Sequence, residues 1–263
     1  MNQSERRIYL IRYLLNEDKR YHRIPVPQDI QEQKQLLRSL INIRLPKEIG
    51  KDFLNVQDEY LKEAIAEKGI TDYRNLIPAQ RGIYLWQGDI TTLKCDAIVN
   101  AANSGMTGCY VPCHNCIDNC IHTYAGIQLR NRCAQLMDEQ GHEEEPGKAK
   151  ITPACNLPCK YVIHTVGPII YDRVRKEDEI LLGACYRSCL ETACHNHLES
   201  IAFCCISTGE FRFPNRRAAK IAVETVMQFR KDTETEIEVI FNVFKDEDYE
   251  IYSELLRFHK ETE

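Results

Sequence analysis

No stretch of this 263-residue chain approaches the roughly 18 consecutive apolar residues that a helix needs to span a bilayer, so no membrane segment is expected. Nor is there an excess of positive charge. With 34 Lys and Arg against 39 Asp and Glu, the net charge of −5 gives no basic field to attract a nucleic-acid backbone. The phosphate-binding pattern Gly-x-x-x-x-Gly-Lys-Ser/Thr is missing, which argues against phosphoryl transfer from ATP. The opening Met-Asn-Gln-Ser-Glu-Arg-Arg lacks an apolar core of signal-peptide length. A cytoplasmic protein is therefore expected. Internal repeats and low-complexity segments are also absent.

Cysteine, by contrast, is abundant. Thirteen thiols in a chain large enough to bury a full core do not suggest disulfide staples, and most are expected to be reduced. Cys95, Cys133, Cys185, Cys189, Cys194, Cys204 and Cys205 lie in apolar or amphipathic stretches and read as small buried hydrophobes. Cys155 and Cys159 form a loose pair with no second pair at zinc-ribbon spacing, and read as structural. The segment from Cys109 to Cys120 is different. It packs Cys109, Cys113, His114, Cys116, Asp118 and Cys120 around Pro112, Asn115 and Asn119, just after Gly108, which is not a plausible packing face. Thiolates and an imidazole at this density suit zinc, and three ligands rather than four would leave a coordination position open for chemistry. A thiolate cluster of this kind could also serve a structural or redox-sensing role.

The first 80 residues carry apolar positions at helical spacing: Ile8 to Leu15, Leu36 to Ile41, and Phe53 to Ile65. Pro27 would suit the first turn of a helix continuing from Gln28 to Asn42. Thr71 to Arg81 contains Pro78 and no clear period, which sets the expected division into a helical extension (1–80) and a main domain (81–263). From Gly82 onward, strand-like segments at 83–86, 97–100, 150–153, 161–166, 201–206 and 237–244 alternate with helix-like ones near 117–140, 178–197, 215–231 and 247–260. Such alternation predicts a mainly parallel sheet covered by helices on both faces, with ligands held at the carboxyl ends of the strands. Gly88-Asp89-Ile90, Asn100 to Asn103, Gly167-Pro168 and Ser207-Thr208-Gly209 all fall at such ends. Ser207 to Pro214 runs from a buried strand to a helix, so its amides could cradle an anion, although a plain turn has the same composition.

Taken in order, Gly88-Asp89-Ile90-Thr91, Asp96 to Asn103, Asp118 to His122 with Ala125-Gly126, His164 to Pro168, and Ile206 to Pro214 resemble the macrodomain family over about 180 residues. The Cys-His-Cys loop resembles that of the zinc-containing microbial macrodomains, often encoded beside a sirtuin-like ADP-ribosyl transferase. That resemblance implies a three-layer α/β/α domain with a central mixed, mainly parallel sheet behind an N-terminal helical extension. It further implies Zn2+ held by Cys109, His114 and Cys116; Cys113 is left outside the ligand set because adjacent residues rarely both reach one small ion, and Cys120, His122 and His164 read as packing or backbone contacts rather than ligands. Adenine would lie near Asp89 and Ile90, the diphosphate on Ser207, Thr208, Gly209, Glu210 and Phe211, and the distal ribose between Asn103 and the zinc loop. Asp118 is the candidate to orient or deprotonate the attacking water, as an ionised carboxylate beside a cation. The implied activity is zinc-dependent removal of mono-ADP-ribose from protein side chains, a lipoylated carrier protein being one candidate target. A non-catalytic ADP-ribose reader with a structural zinc is the alternative.

Overall fold

The computed structural model describes residues 1–257. Its N-terminal segment is built from three helices with distinct start signals. Helix α1 (Gln3–Glu17) opens on a reciprocal cap between Asn2 and Glu5. Helix α2 (Ile30–Ile43) opens on Asp29, whose carboxylate accepts the amides of Gln31 and Glu32. Pro27 therefore lies outside the helix rather than in its first turn, because a carboxylate that takes two orphan amides fixes the start more strongly than a preset φ does. Helix α3 (Lys51–Lys68) stops at Gly69, which has φ +88°. Leu10, Ile11, Leu37, Leu40, Phe53 and Leu61 from the three helices form an apolar cluster that Ile127 joins from the main domain.

Among the described residues nine strands follow: β1 (Thr71–Asp72), β2 (Pro78–Gln80), β3 (Ile83–Gln87), β4 (Leu93–Lys94), β5 (Ala97–Ala102), β6 (Ala149–Pro153), β7 (Tyr161–Val166), β8 (Ser200–Phe203) and β9 (Glu238–Val243). Strands β1 and β4 pair by themselves, and the other seven form one sheet in the order β2-β3-β9-β8-β5-β7-β6. Its two edge strands run antiparallel to their neighbours and the five inner strands are parallel. The segment 71–81, patternless in sequence, thus supplies β1 and an edge strand. Pro78 is compatible with the latter because an edge leaves its missing N–H unneeded. The helices α4 (Ile117–Ala125), α5 (Ile127–Gln140), α6 (Lys176–His195), α7 (Asn215–Thr233) and α8 (Asp246–Leu256) cover the sheet.

Adjacent residues of β7 show the two helical layers, since successive side chains point to opposite faces. His164 meets Cys133 of α5, whereas Thr165 meets Cys185 of α6. The single helix expected near 117–140 is broken at Gly126, where φ is +95° and an added Cβ would lie 2.7 Å from Gln57 Nε2 of α3. The expected strand 201–206 ends at Phe203, and Cys204 to Ile206 leave the ladder to begin the loop at Ser207. The last residues of the helix expected at 247–260 lie outside the described residues. None of the thirteen cysteines is in a disulfide. Parallel pairing of the inner strands brings all their carboxyl ends to one edge, and every motif picked out above as a ligand loop follows one of those ends.

Candidate active site and metal centre

Strand β5 ends in Asn100-Ala101-Ala102, and the chain then loops through residues 103–116 before α4 begins. Asp118 stands in the first turn of that helix, facing back onto the strand. Asn100 Nδ2 donates to its Oδ1 at 2.8 Å, and Asn103 Nδ2 donates to its Oδ2 at 3.2 Å. The carboxyl is buried, and burial pushes its pKa up to about 6 against the Asn100 and Asn103 hydrogen bonds and the positive charge of Arg130. Behind it, His164 is bonded at both ring nitrogens, to Asn100 at 3.1 Å and Thr152 at 2.9 Å. Because the Asn100 amide donates, His164 is neutral with its proton on Nε2, and burial holds its pKa down at about 3. His122 is equally buried, its Nε2 lying 3.5 Å from Asp118 Oδ1. His122, Cys133 and His164 thus form a compact group inside the domain, yet His164 has both nitrogens engaged.

The donor atoms of Cys109, His114 and Cys116 all lie within 4.8 Å of one another, on half-buried residues. His114 Nδ1 faces Cys109 Sγ at 3.6 Å, while its Nε2 faces Glu210 Oε1 at 3.4 Å. Protonated at Nε2, the ring turns its free nitrogen toward the thiols and its N–H toward a carboxylate, the arrangement typical of a metal-bound imidazole. Cys116 also caps α4, its sulfur accepting the Asn119 amide at 3.4 Å, and burial pushes its thiol up to about 12 with Cys109 and Asp118 adding to the effect. Two sulfurs and one nitrogen so grouped fit a zinc ion, whose bonds run about 2.3 Å to sulfur and about 2.0 Å to nitrogen. Cys113 points elsewhere, with Sγ 3.2 Å from Ser39 Oγ, and Cys120 Sγ lies 3.6 Å from Arg38.

At the end of β3, Asp89 Oδ1 accepts the Thr91 amide and hydroxyl at 3.0 and 2.6 Å. Its Oδ2 accepts Lys68 Nζ at 2.8 Å. Burial works against this carboxylate, but the Lys68 ammonium and Thr91 hydroxyl hold its pKa below the usual range. Ile90 is buried at the start of a single 3-10 turn (Ile90–Thr92). The loop after β8 turns sharply, with Ser207 at φ +65° and Phe213 N donating to Ser207 O at 2.9 Å. Among the described residues, the amides of Gly209, Glu210 and Phe211 donate to no protein acceptor, so this loop presents N–H groups as an anion cradle would.

The sequence expectations missed two residues of this edge. Lys68, the last residue of α3, pairs with Asp89 and lies 3.3 Å from the centroid of the Tyr124 ring. Phe244 follows β9, three-quarters exposed, beside the Gly88 turn that Val243 O holds at 3.0 Å. Neither carries a sequence signal, for a lysine ending a helix and an apolar residue ending a strand are both ordinary.

Comparison with known proteins agrees with this fold. The Macro domain family model matches residues 99–222. A protein from Treponema medium named protein-ADP-ribose hydrolase is 58% identical over 260 residues, spanning 97% of this chain and all of its own. This chain belongs to the macrodomain family. A protein-ADP-ribose hydrolase of Staphylococcus aureus strain MRSA252 is 46% identical over 250 residues, covering 93% of this macrodomain chain and 94% of its own. The crystal structure of a Trypanosoma brucei macrodomain in complex with ADP-ribose matches with a TM-score of 0.65 at 28% identity, covering 83% of this chain and 94% of that one. The macrodomain fold expected from the sequence is therefore correct, including its N-terminal helical segment. No described helix is long and apolar enough to cross a membrane.

Proposed function

We propose that this macrodomain hydrolyses mono-ADP-ribose from modified protein side chains, with Zn2+ held by Cys109, His114 and Cys116. The observation that carries this reading is the position of Asp118. It is a buried carboxyl two residues from the Cys-His-Cys group, held between two asparagine amides at the strand-end edge. The names of the Treponema and Staphylococcus relatives support the activity.

In this reading the Ile90 amide and Asp89 take the adenine, with Phe244 beside them, and the loop Ser207 to Phe211 takes the diphosphate on the open amides of Gly209, Glu210 and Phe211. Asn103 fixes the distal ribose, its own Oδ1 being oriented by the Gly105 amide at 3.0 Å. A zinc ion bound here supplies a Lewis acid at the scissile bond. Asp118 accepts the proton of the attacking water, its carboxylate held in place by the Asn100 and Asn103 amides. The neutral His164 keeps Asn100 oriented. A sirtuin-like transferase is the proposed source of the modification, and a lipoylated carrier protein is the substrate to try first.

The test is release of ADP-ribose from a mono-ADP-ribosylated protein before and after chelation, with metal content measured on the same samples. Release that stops on chelation and returns with zinc is the expected result, and Asp118→Asn should reduce turnover by about 100-fold or more, as for loss of a positioned general base. Tight ADP-ribose binding with bound zinc and no release from aspartate-, glutamate- or serine-linked substrates would instead establish a reader.

A further inference from the structure

The candidate metal donors sit in the loop 109–116, which has no regular structure of its own, and its shape is imposed from outside. Helix α2 makes four of those contacts. Arg38 Nη2 donates to the His114 carbonyl at 2.6 Å and to Asn119 Oδ1 at 3.0 Å. One turn later, Asn42 Oδ1 accepts the Cys113 amide at 2.9 Å, and Asn42 Nδ2 donates to Thr123 Oγ1 of α4 at 2.9 Å. Cys113 has φ +53°, a conformation that non-glycine residues hold only with support. That support comes from the same helix, through Ser39 Oγ at 3.2 Å and the Gln35 carbonyl at 3.4 Å from the Cys113 thiol.

The other side of the loop is anchored to the same helix. Arg130 of α5 donates through Nη1 to the carbonyls of Ile41, Asn42 and Arg44 at 3.0, 2.6 and 2.7 Å, and its guanidinium lies 4.4 Å from the centroid of the Tyr110 ring. Asn119, itself held by Arg38, donates to the carbonyls of Cys109 and Val111 at 3.3 and 3.0 Å. Each metal donor is thus one or two bonds away from a contact made by α2 or by a residue that α2 fixes.

We infer that α2 is a working part of the metal centre, with Arg38 and Asn42 as positioning residues that preset the spacing of Cys109, His114 and Cys116 before an ion arrives. The inference rests on the zinc reading above. A loop without regular structure of its own would otherwise have to order itself at each binding event, and that ordering would subtract from affinity. The N-terminal helices then do more than add stability. They tune the site.

The experiment measures Zn2+ dissociation constants of the full chain by competition with a chromogenic chelator. The variants are Arg38→Ala, Arg38→Lys, Asn42→Ala and, as a control, Arg6→Ala. Arg6 joins α1 to α3 through Glu59 and Glu63 at 2.8 and 2.7 Å and has no hydrogen bond or ion pair with the loop among the described residues. Losing an outer partner of a metal site typically weakens affinity about 10- to 100-fold, and that loss is expected for Arg38→Ala and Asn42→Ala. Arg6→Ala should bind as the wild type does. Arg38→Lys should recover part of the loss, since an ammonium can still donate to the His114 carbonyl. The thiolate-to-metal absorption of the cobalt-substituted protein should shift in the two alanine variants and not in Arg6→Ala. Circular dichroism of the metal-free variants verifies folding, and if Arg38→Ala does not fold, Asn42→Ala decides the question. Wild-type affinity in both alanine variants, or an equal loss in Arg6→Ala, would overturn the positioning role and leave the zinc reading intact. A wild-type chain that binds no zinc would overturn both.

Discussion

Gly108 immediately precedes the first candidate metal donor, and replacing it with alanine tests whether its backbone and its neighbour are as constrained as the structure requires. Its φ is +86°, and an added Cβ would stand 2.7 Å from Cγ, 2.9 Å from Cδ2 and 3.1 Å from Nδ1 of His122. The His122 ring is only 2% exposed and has no space to retreat into. Two costs follow. Holding an L-residue in the left-handed region costs about 1–2 kcal/mol, and forcing a methyl group into packed surroundings costs about 1–3 kcal/mol. Together they destabilise Gly108→Ala by about 2–5 kcal/mol, which lowers Tm by about 4–10 °C in a chain of this size. Calorimetry and urea unfolding of the metal-free protein provide the measurement. Two other glycines separate the costs. Gly141 has φ +76° with nothing within 4 Å, so Gly141→Ala should show only the backbone cost of about 1–2 kcal/mol. Gly209, likewise open and without a positive φ, should tolerate alanine within about 0.5 kcal/mol. A Gly108→Ala protein no less stable than Gly141→Ala would refute the clash with His122, and one as stable as Gly209→Ala would refute both terms.

Phe53, 1% exposed in the N-terminal cluster, should cost about 3–5 kcal/mol on replacement by alanine, read as a shifted urea midpoint. Asp96 accepts Lys160 Nζ at 2.7 Å and the Glu199 amide at 2.7 Å. Burial opposes its charge, yet these partners hold its pKa below the ordinary carboxylate value. Its folded pKa is thus depressed, so the stabilisation is present above the unfolded value of about 3.9 and is lost as pH falls through the folded one. Asp96→Asn should flatten that acid limb of a stability-versus-pH curve. Zinc at 100 times its dissociation constant should raise unfolding stability by about 2.7 kcal/mol, and Cys116→Ala should abolish the rise in a thermal melt.

The sequence was most legible where a single element sufficed. The helical spacing at Leu10, Ile11 and Leu14 and the apolar run at Ile201 to Phe203 report burial directly, because one face of a helix or both faces of an inner strand must leave water. The crowding of Cys109, His114 and Cys116 was visible for a similar reason, since residues so close in sequence need only a loop to bring their donors together. Boundaries were less legible. Asp29 displaced Pro27 as the start of α2, and Gly126 split one helical pattern into two, both through contacts or dihedral angles that periodicity does not encode.

By itself, then, the sequence determined the alternation of strands and helices, the parallel sheet that alternation requires, and the identity of the residues at its carboxyl edge. Tertiary structure decided what those residues are. Asp118 acquires a pKa of about 6 only because the fold buries it between Asn100 and Asn103. Cys113 is removed from the donor group only because α2, more than seventy residues earlier in the chain, takes its amide and its thiol. Lys68 reaches Asp89 across 21 positions in the same way. Spacing along the chain records which groups are present, but desolvation and long-range hydrogen bonds set their charge and direction, and these exist only once distant segments pack.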